Sequence, residues 1–405
     1  MVEGLDTGDP LGPSVGTSAP FGTGGTVGII GLGGMGSAAA YHLARRGVRV
    51  VGFEQFACAH DRGSSHGDSR VIREAYFEHP SYVPLVQRAY DLWSETQDLA
   101  GEELLTICGG LMLGRPDDEV VVGTLASARR WDIPHQILTA ADVRWRYPKL
   151  AVPDDHVGVL ERRGGFVRPE ASVRVHNRLA SELGATLHFE TRLLGWQATE
   201  EGLVLTTDAG PWRVDRLVVT AGPWAGRLLA ELGLPLAVER VVMFWFEADD
   251  WDAYAVGRFP VHLWDDPEGR RLYGFPAVGT AAGGVKVAFF RAGGGGGAGQ
   301  PVDPDTVDRE VAEEEIEAMR GHLADRVPGL SLGRCVRAKV CLYTVTPDEH
   351  FVVGLHPHDG RIVLAAGFSG HGFKFVPVIG EICADLATRG RTRHDVGLFR
   401  PDRFS

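Results

Sequence analysis

A cysteine near the C-terminus lies where its type and setting permit chemistry. Cys341 lies in the strand-like run KVCLYTVTPDEHF, residues 339–351, two residues before Tyr343. A thiol in such a run can be a small core side chain, a metal ligand, a redox thiol or the attachment point of a covalent group. The other cysteines, at 58, 108, 335 and 383, form no CxxC pair, so we expect neither a disulfide framework nor a bound metal.

Three glycines near the N-terminus have the spacing of a dinucleotide-binding turn. Gly31, Gly33 and Gly36 lie between a buried strand, TVGII, and a helix, GSAAAYHLARRG. In this spacing the first glycine makes a tight turn, the second lets the backbone approach a pyrophosphate, and the third lets the helix pack on the strand. The N-terminus of the helix then directs its positive dipole end at the phosphates.

An acidic residue follows at the expected distance. Glu54 ends the next strand, VRVVGFE, 18 residues after Gly36, where a carboxylate would bond the ribose hydroxyls. An acid at this position disfavours a 2′-phosphate. The glycine pattern does not distinguish NAD from FAD, and GLGGMG also resembles the opening of the β-hydroxyacid dehydrogenases, which use NAD(P).

The chain then continues with a polar loop, GSSHGDSRVIREAY, residues 63–76, where a plain NAD domain would enter another strand and helix. Arg70 and Arg73 are three residues apart, so a helix would place them on one face. They are either the solvated start of a helix or a pair of cations directed at an anionic or electron-rich ligand.

A second glycine-rich turn lies near the C-terminus, in GFSGHGFKF, residues 367–375. A strand, RIVLAAG, leads into it and a helix, PVIGEICADLA, follows with apolar residues three and four apart. This order again directs free backbone N–H groups at a ligand, and a helix N-terminus stabilises negative charge that develops there. Lys374 lies inside this turn and is either a surface lysine or a cation of the site.

Composition sets further limits. A formal charge of −12 argues against nucleic acid as a partner, because binding phosphates needs a basic face. Residues 1–25 are rich in Gly, Pro, Ser and Thr and predict a disordered tail without the features of a signal peptide. No apolar run is long enough to span a membrane. We therefore expect a soluble protein. The five cysteines without paired spacing fit a reducing compartment, so we expect the cytoplasm as its location. We also expect a monomer.

The paired motifs HGDSR and GFSGHGFKF, together with CLYTVTPDEHFVVGLHP, resemble the monomeric sarcosine oxidase and N-methyltryptophan oxidase family. These are FAD-dependent oxidoreductases of the D-amino-acid-oxidase-like superfamily, and the resemblance runs from about residue 26 to about residue 400. It implies an α/β fold, with a discontinuous, Rossmann-like FAD-binding domain and an antiparallel-sheet substrate-binding domain.

The resemblance implies a division of the chain. After the tail, the FAD-binding domain takes residues 26–105, 155–230 and 335–395, and the substrate-binding domain takes residues 106–154 and 231–334. Alternating apolar positions in residues 237–291 predict strands that would cover the flavin. Residues 291–306, RAGGGGGAGQPVDPDT, predict a flexible glycine loop.

The implied reaction is the oxidation of a secondary amine or an N-methyl or cyclic amino acid to an imine, with dioxygen reduced to hydrogen peroxide. FAD would be attached covalently through Cys341. The residues implied to bind the cofactor are Gly31, Gly33, Gly36, Glu54, Ser64, Ser65, His66, Arg70, Leu193, Cys341, Gly370, Gly372, Phe373 and Lys374.

The resemblance also assigns roles in catalysis. Arg73 and Lys374 would hold the substrate carboxylate, and Arg70 would lie near flavin N5. Tyr273 and Tyr343 would line the substrate pocket. Lys286, in GGVKVAFF, would lie over the other flavin face and stabilise the anion that forms when dioxygen takes an electron.

One position departs from the family pattern. Four residues after Lys286 the resembled oxidases carry a histidine, and here the residue is Phe290. Phenylalanine neither donates a hydrogen bond nor takes a proton, so we expect a more apolar pocket and a different substrate. His262, in FPVHLW, is either a structural residue or a replacement that leans into the same pocket.

Two other functions remain open at this point. An NAD-dependent dehydrogenase of the β-hydroxyacid type would explain the glycine turn but not Cys341. A dinucleotide-binding protein without catalysis would keep GLGGMG but could do without Arg73, Lys286 and Lys374.

Overall fold

The computed structural model describes residues 25–265, 271–290 and 301–404. The predicted tail, apart from Gly25, and the first ten residues of the predicted glycine loop lie outside these ranges. The α-helices are α1 (Gly34–Arg45), α2 (Val83–Ala100), α3 (Glu119–Arg130), α4 (Ala140–Arg146), α5 (Pro169–Glu182), α6 (Ala225–Leu228), α7 (Glu313–Ala324), α8 (Pro328–Ser331) and α9 (Val376–Arg389).

The first ten strands are β1 (Thr26–Ile30), β2 (Arg49–Phe53), β3 (Arg70–Ile72), β4 (Leu105–Ile107), β5 (Gly110–Gly114), β6 (His135–Thr139), β7 (Val157–Glu161), β8 (Gly165–Val167), β9 (Thr186–His188) and β10 (Leu193–Thr199). The others are β11 (Gly202–Thr207), β12 (Gly210–Val214), β13 (Arg216–Val219), β14 (Ala237–Phe246), β15 (Val261–Asp265), β16 (Arg271–Gly274), β17 (Val285–Phe290), β18 (Cys335–Val345), β19 (Val352–His356) and β20 (Asp359–Ala366).

A six-stranded sheet carries the predicted nucleotide fold, in the order β19-β20-β13-β1-β2-β9. All pairs are parallel except β19 with β20. Helix α1 packs between α5 and α9 on one face, and the antiparallel strands β10, β11 and β12 cover the other face. Both faces are therefore buried, which explains the almost uninterrupted apolar character of β1 and β13.

The turn between β1 and α1 needs its glycines for steric reasons. Gly31 has a φ of +84°, and a Cβ atom there would lie 2.5 Å from the carbonyl oxygen of Thr220. At Gly36 a Cβ atom would lie 1.8 Å from the carbonyl oxygen of Gly31. The predicted strand, turn and helix are confirmed here, because the pattern that predicts them is entirely local.

An eight-stranded sheet forms the second layer, in the order β18-β14-β17-β16-β15-β5-β7-β6. It is antiparallel except for the parallel pair β5 and β15. Helices α4, α7 and α8 pack on one face, and the opposite face carries an apolar cluster that includes Met243, Tyr273 and Cys341.

The predicted domain division at residue 335 separates strands that pair in one sheet. Residues Cys335–Val345 form β18, which pairs along its length with Ala237–Phe246 in the eight-stranded sheet. Residues Val157–Glu161, expected in the FAD-binding domain, also belong to this sheet. Both strands belong to this sheet because they pair with strands far away in the chain, and local sequence patterns do not reveal such pairing. Across the described ranges, no helix combines the length and the apolarity needed to cross a bilayer.

Candidate active site

A deep cavity lies where the two large sheets meet. The carboxyl ends of β1, β2, β13 and β20 form one side of it, and β16, β17 and β18 form the other. It encloses about 1920 Å³, counting the part open to solvent. Ligands of open α/β sheets bind at this end of the strands, so the location suits a nucleotide.

The nucleotide end of the cavity contains several of the predicted residues. Gly31, Gly33, Glu54, Ser65 and Leu193 line it. The buried carboxylate of Glu54 accepts backbone hydrogen bonds from Leu32 at 3.0 Å and Phe56 at 3.2 Å, which fixes it at the end of β2. The Ser65 hydroxyl oxygen accepts the N–H of Gly34 at 3.1 Å, so the polar loop is joined to the start of α1. Gly36 lies behind this surface and serves the packing of α1.

The segment that carries Arg70 and Arg73 is not a helix. Arg70–Ile72 form β3, which pairs with β8. This pairing with a strand about 95 residues further along the chain overrides the helical spacing of the two arginines. Both arginines nevertheless line the cavity.

Arg70 lies beside the candidate attachment cysteine. The sulfur of Cys341 is 3.5 Å from Nη2 of Arg70, and the Cys341 side chain is only 1% exposed. The same guanidinium nitrogen donates to the carbonyl oxygen of Ser64 at 3.0 Å. The Ser64 hydroxyl in turn donates to the carbonyl oxygen of Leu342 at 2.5 Å. A positive charge is thereby held next to the sulfur, in the kind of electropositive setting where reactive cysteines are found.

Lys286 points inward from β17 and is 3% exposed, although it does not itself line the cavity. Its Nζ donates to the carbonyl oxygens of Gly67 at 2.6 Å and Ser69 at 2.7 Å. Burial, and secondarily the charge of Arg70, lower the pKa of Lys286 well below its ordinary value.

The turn whose carbonyl oxygens accept hydrogen bonds from Lys286 has an unusual backbone conformation. Asp68 has a φ of +66°, in the left-handed region that non-glycine residues seldom adopt. Its carboxylate pairs with Arg337 of β18, and Glu170 accepts its backbone N–H at 3.2 Å. The sequence pattern around HGDSR does not predict this role for its aspartate.

At the opposite end of the cavity, Lys374 and Arg73 are both buried. Lys374 is 5% exposed, and its Nζ donates to the carbonyl oxygen of His371 at 2.8 Å. Burial first, and then the charge of Arg73, lower the pKa of Lys374 to about 7, while Glu78 acts in the opposite direction. Two cations so close to one cavity wall suit the binding of a carboxylate.

Sequence reasoning missed three polar residues at this end. Glu78 forms a buried ion pair with Arg73 at 2.5 Å, and the hydroxyl of Tyr76 lies 2.6 Å from Nδ1 of His371. Burial lowers the pKa of His371 to about 4, so the ring is neutral at pH 7. His371 lies inside the quoted motif GFSGHGFKF, and this position was the available signal. Nothing in the sequence marks Glu78 beyond its nearness to Arg73.

The wall between these ends is largely apolar. Phe77, Leu263, Tyr273, Phe290 and Tyr343 line it. Burial is the main cause that raises the pKa values of Tyr273 and Tyr343, so their hydroxyls remain protonated near neutral pH. The position of Phe290 supports the expectation of an apolar pocket.

The cavity lining excludes five of the predicted residues, Gly36, His66, His262, Lys286 and Cys341. His262 alternates with Leu263 along β15, so its ring faces away from the cavity and packs against Phe259 with centroids 5.1 Å apart. The alternative that it replaces the missing histidine is therefore wrong. His66 is buried in the loop, where burial lowers its pKa to about 3.

The C-terminal glycine turn completes the cavity. Gly370, Gly372 and Phe373, which are predicted to bind the cofactor, line it. A Cβ atom at Gly370 would lie 2.5 Å from the Tyr343 ring, and φ there is +81°. The chain enters α9 directly after this turn. Within the described residues no group of three or more His, Cys, Asp or Glu side chains could hold a metal ion.

These features fit FAD. The glycine turn before α1 and the carboxylate of Glu54 suit the pyrophosphate and ribose. The C-terminal turn and the apolar wall suit a flat ring system next to a helix N-terminus. Cys341 does not itself line the cavity, but its sulfur lies 3.5 Å from Nη2 of Arg70, which does.

Comparisons with known proteins agree with this fit. Residues 26–386 match the family model of the FAD dependent oxidoreductases. The monomeric sarcosine oxidase of Streptomyces avermitilis is 46% identical over 378 residues, 92% of this chain and 96% of that protein. The N-methyl-L-tryptophan oxidase of Salmonella dublin is 34% identical over 92% of this chain and 96% of that protein.

A solved structure extends the agreement to three dimensions. A variant of NikD, an unusual amino acid oxidase essential for nikkomycin biosynthesis, superposes with a TM-score of 0.81 at 25% identity, covering 93% of this chain and 97% of that one. These relatives favour a flavin over the NAD-dependent dehydrogenase alternative. The chain belongs to the FAD dependent oxidoreductase family.

Proposed function

We propose that this protein is an amine oxidase that acts on a secondary amine bearing a carboxylate, with FAD attached through Cys341 and dioxygen as the electron acceptor. The observation that carries the proposal is the pair of buried cations, Arg73 and Lys374, which line the cavity together with the apolar residues Phe77, Leu263 and Phe290. The names of the relatives, sarcosine oxidase and N-methyl-L-tryptophan oxidase, support an N-substituted amino acid as the substrate.

Substrate orientation would come from the two ends of this pocket. Arg73 and Lys374 bind the carboxylate, and the apolar wall of Phe77, Leu263 and Phe290 receives the substituents on carbon and nitrogen. Such fixed positioning lowers the entropic part of the barrier. When bound, FAD supplies the redox chemistry: it accepts a hydride equivalent from the carbon next to the amine nitrogen and returns two electrons to dioxygen, giving hydrogen peroxide.

Among the described residues that line the cavity, two tyrosines and a histidine are unsuited to take a proton from the amine. Tyr273 and Tyr343 keep their protons, because their pKa values lie above the ordinary value, and His371 is tied to Tyr76 and the carbonyl oxygen of Glu349. The substrate would therefore react as the neutral amine, which has a lone pair. An apolar surface favours that form over an ammonium ion.

Lys286 would act on the dioxygen half-reaction. Its buried amino group sits among the carbonyl oxygens of Gly67 and Ser69 and next to Arg70. In its protonated form this amino group stabilises the anion that forms as dioxygen is reduced, and it needs no reorganisation because its position is already fixed.

Cys341 would form the covalent link. The contact of its sulfur with the guanidinium of Arg70 supports a specific attachment over a role as an inert core thiol. The five cysteines are all free, which agrees with a reducing compartment such as the cytoplasm, and we propose a monomer that acts there.

One inexpensive experiment tests the cofactor proposal. Purified protein is denatured in acid and centrifuged: a yellow pellet over a clear supernatant is expected, and Cys341→Ala should release the colour or fail to bind it. Peroxide release is then screened with sarcosine, N-methyltryptophan, proline and pipecolate. A colourless protein that binds no FAD would refute the proposal.

A further inference from the structure

One face of β18, the strand that carries Cys341, contacts the polar loop. Side chains alternate along β18, so Arg337, Lys339, Cys341 and Tyr343 share a face. Arg337 pairs with Asp68, and Lys339 pairs with Asp61 at 3.2 Å. The two ion pairs therefore join both ends of loop residues 61–68 to the strand that bears the candidate attachment sulfur.

Between these two anchors lies the part of the loop that faces the cavity. Gly63, Ser64 and Ser65 line the cavity, and the carbonyl oxygen of Ser64 lies 3.8 Å from the sulfur of Cys341. The same carbonyl oxygen accepts from Arg70 at 3.0 Å. The conformation of this loop thus determines which groups can approach the sulfur of Cys341 and where the guanidinium of Arg70 lies.

The end of the loop at Asp68 is held in an unfavourable conformation. Its φ of +66° turns the carbonyl oxygens of Gly67 and Ser69 toward Lys286. Strained residues persist where surrounding contacts hold them, and Asp68 has two such contacts, from Arg337 and from Glu170.

We propose that the Asp61–Lys339 and Asp68–Arg337 ion pairs are positioning devices for flavin attachment: they hold the loop so that Arg70 stays beside the sulfur of Cys341. This inference rests on the proposed covalent link. In that link a C–S bond forms between the sulfur and the 8α-methyl carbon of FAD. The thiol proton and one methyl hydrogen leave as protons, and the two electrons left on the ring pass to dioxygen, giving hydrogen peroxide.

The exposure of these pairs makes the idea testable. The side chains of Lys339 and Asp61 are 41% and 58% exposed, and those of Arg337 and Asp68 are 36% and 41% exposed. Exposed ion pairs add little to global stability, so variants should fold. Their effect should appear locally, in the rate of the attachment step.

The experiment follows covalent attachment in apoprotein from riboflavin-limited cells after FAD is added. Flavin that stays with acid-precipitated protein is measured against time. The test variant combines Arg337→Gln with Lys339→Gln. The matched control is Arg334→Gln, which removes an exposed ion pair with Glu247 just before the same strand and away from the loop.

The double variant should attach flavin at a rate at least about fivefold lower than that of wild type. A factor of five in rate corresponds to about 1 kcal/mol, at 1.36 kcal/mol per tenfold change. The melting temperature of the double variant should match that of the control. The exchange Asp61→Lys with Lys339→Asp should restore more of the rate than Lys339→Asp alone, which a merely structural role would not produce.

The outcomes separate this inference from the proposal on which it rests. If wild type retains flavin in acid and the double variant attaches it as fast or faster, the positioning role is refuted and the covalent link stands. If wild type itself releases all its flavin, the covalent link is refuted and the positioning role with it.

Discussion

Nη2 of Arg73 lies 2.5 Å from the carboxylate of Glu78, and both side chains are buried at the cavity wall that also holds Lys374. The guanidinium of Arg73 also lies over the Tyr76 ring, 4.2 Å from its centroid. The site therefore combines two cations with one carboxylate, and a bound substrate carboxylate would bring the buried charges into balance. Buried charges are stable only when a charge of opposite sign is paired with them.

This arrangement predicts a pH dependence of carboxylate binding. The pKa of Lys374 is lowered to about 7, mainly by burial and then by Arg73. The lysine is charged below that pH and loses its charge above it, so the affinity for a small carboxylate without an amine should fall as pH rises through about 7. Flavin absorbance titrations between pH 6 and pH 9 measure this, and Lys374→Arg should remove the dependence.

The partner carboxylate should shift that transition. Glu78 raises the pKa of Lys374, against burial and Arg73, so Glu78→Gln should move the midpoint to lower pH. The same titration of this variant provides the check. A midpoint that stays in place, or moves to higher pH, would show that Glu78 does not act on Lys374 electrostatically.

Loss of the Lys286 amino group should slow flavin reoxidation. In Lys286→Met the rate with dioxygen should fall about 100-fold or more, the range for removing one preorganised charge-stabilising group. Reduction by substrate should change far less. Stopped-flow mixing of reduced enzyme with dioxygen measures the rate, with Lys149→Met as control because this lysine pairs with Asp249 instead. Reoxidation at the wild-type rate would remove Lys286 from the oxygen reaction.

Phe290 should set the preference for apolar substrates. Phe290→His places a polar group in the apolar wall. The kcat/KM for an N-methyl amino acid with a large apolar side chain should therefore fall about tenfold relative to the kcat/KM for sarcosine. This size is expected because apolar contacts discriminate between substrates by about 1–3 kcal/mol. Phe289→His is the matched control, because Phe289 lies on the opposite face of β17 near His322. An unchanged ratio of the two kcat/KM values would contradict this role.

His262 should contribute to acid sensitivity. Burial lowers its pKa to about 4 from 6.5, so the unfolded chain binds a proton below pH 6.5 that the folded chain does not take up until about pH 4. Stability is therefore lost as pH falls through that window. Between pH 7 and pH 5 this histidine should lower the free energy of unfolding by about 2 kcal/mol.

Urea unfolding at the two pH values tests the size of this term. His262→Gln should lose about 2 kcal/mol less free energy of unfolding between pH 7 and pH 5 than wild type does. His358→Gln, at an exposed position, should behave as wild type. Equal losses in all three proteins would show that His262 is not buried in its neutral form.

The features that sequence predicted well depend on local geometry. The glycine turns at Gly31 and Gly370 follow from steric limits within a strand–turn–helix unit, and both turns line the cavity. Strand alternation places Lys286 on the face opposite Val285 and Val287 but leaves open whether that face is solvated, and only the structure shows that Lys286 is buried.

The features that sequence did not predict depend on long-range pairing. Cys341 belongs to the eight-stranded sheet because β18 pairs with β14 about 100 residues earlier. Arg70 lies in a strand because β8 pairs with it. The ion pair that joins Glu78 to Arg73, and the turn of His262 away from the cavity, likewise became visible only in three dimensions.

The most direct test of the central claim is anaerobic mixing of the purified enzyme with a panel of secondary-amine carboxylic acids. We predict that at least one bleaches the absorption band of an oxidised flavin, that admitting dioxygen restores the band, and that hydrogen peroxide forms in equal amount. A flavin that stays oxidised with every such amine, while a hydroxy acid reduces added NAD in the same preparation, would contradict the account.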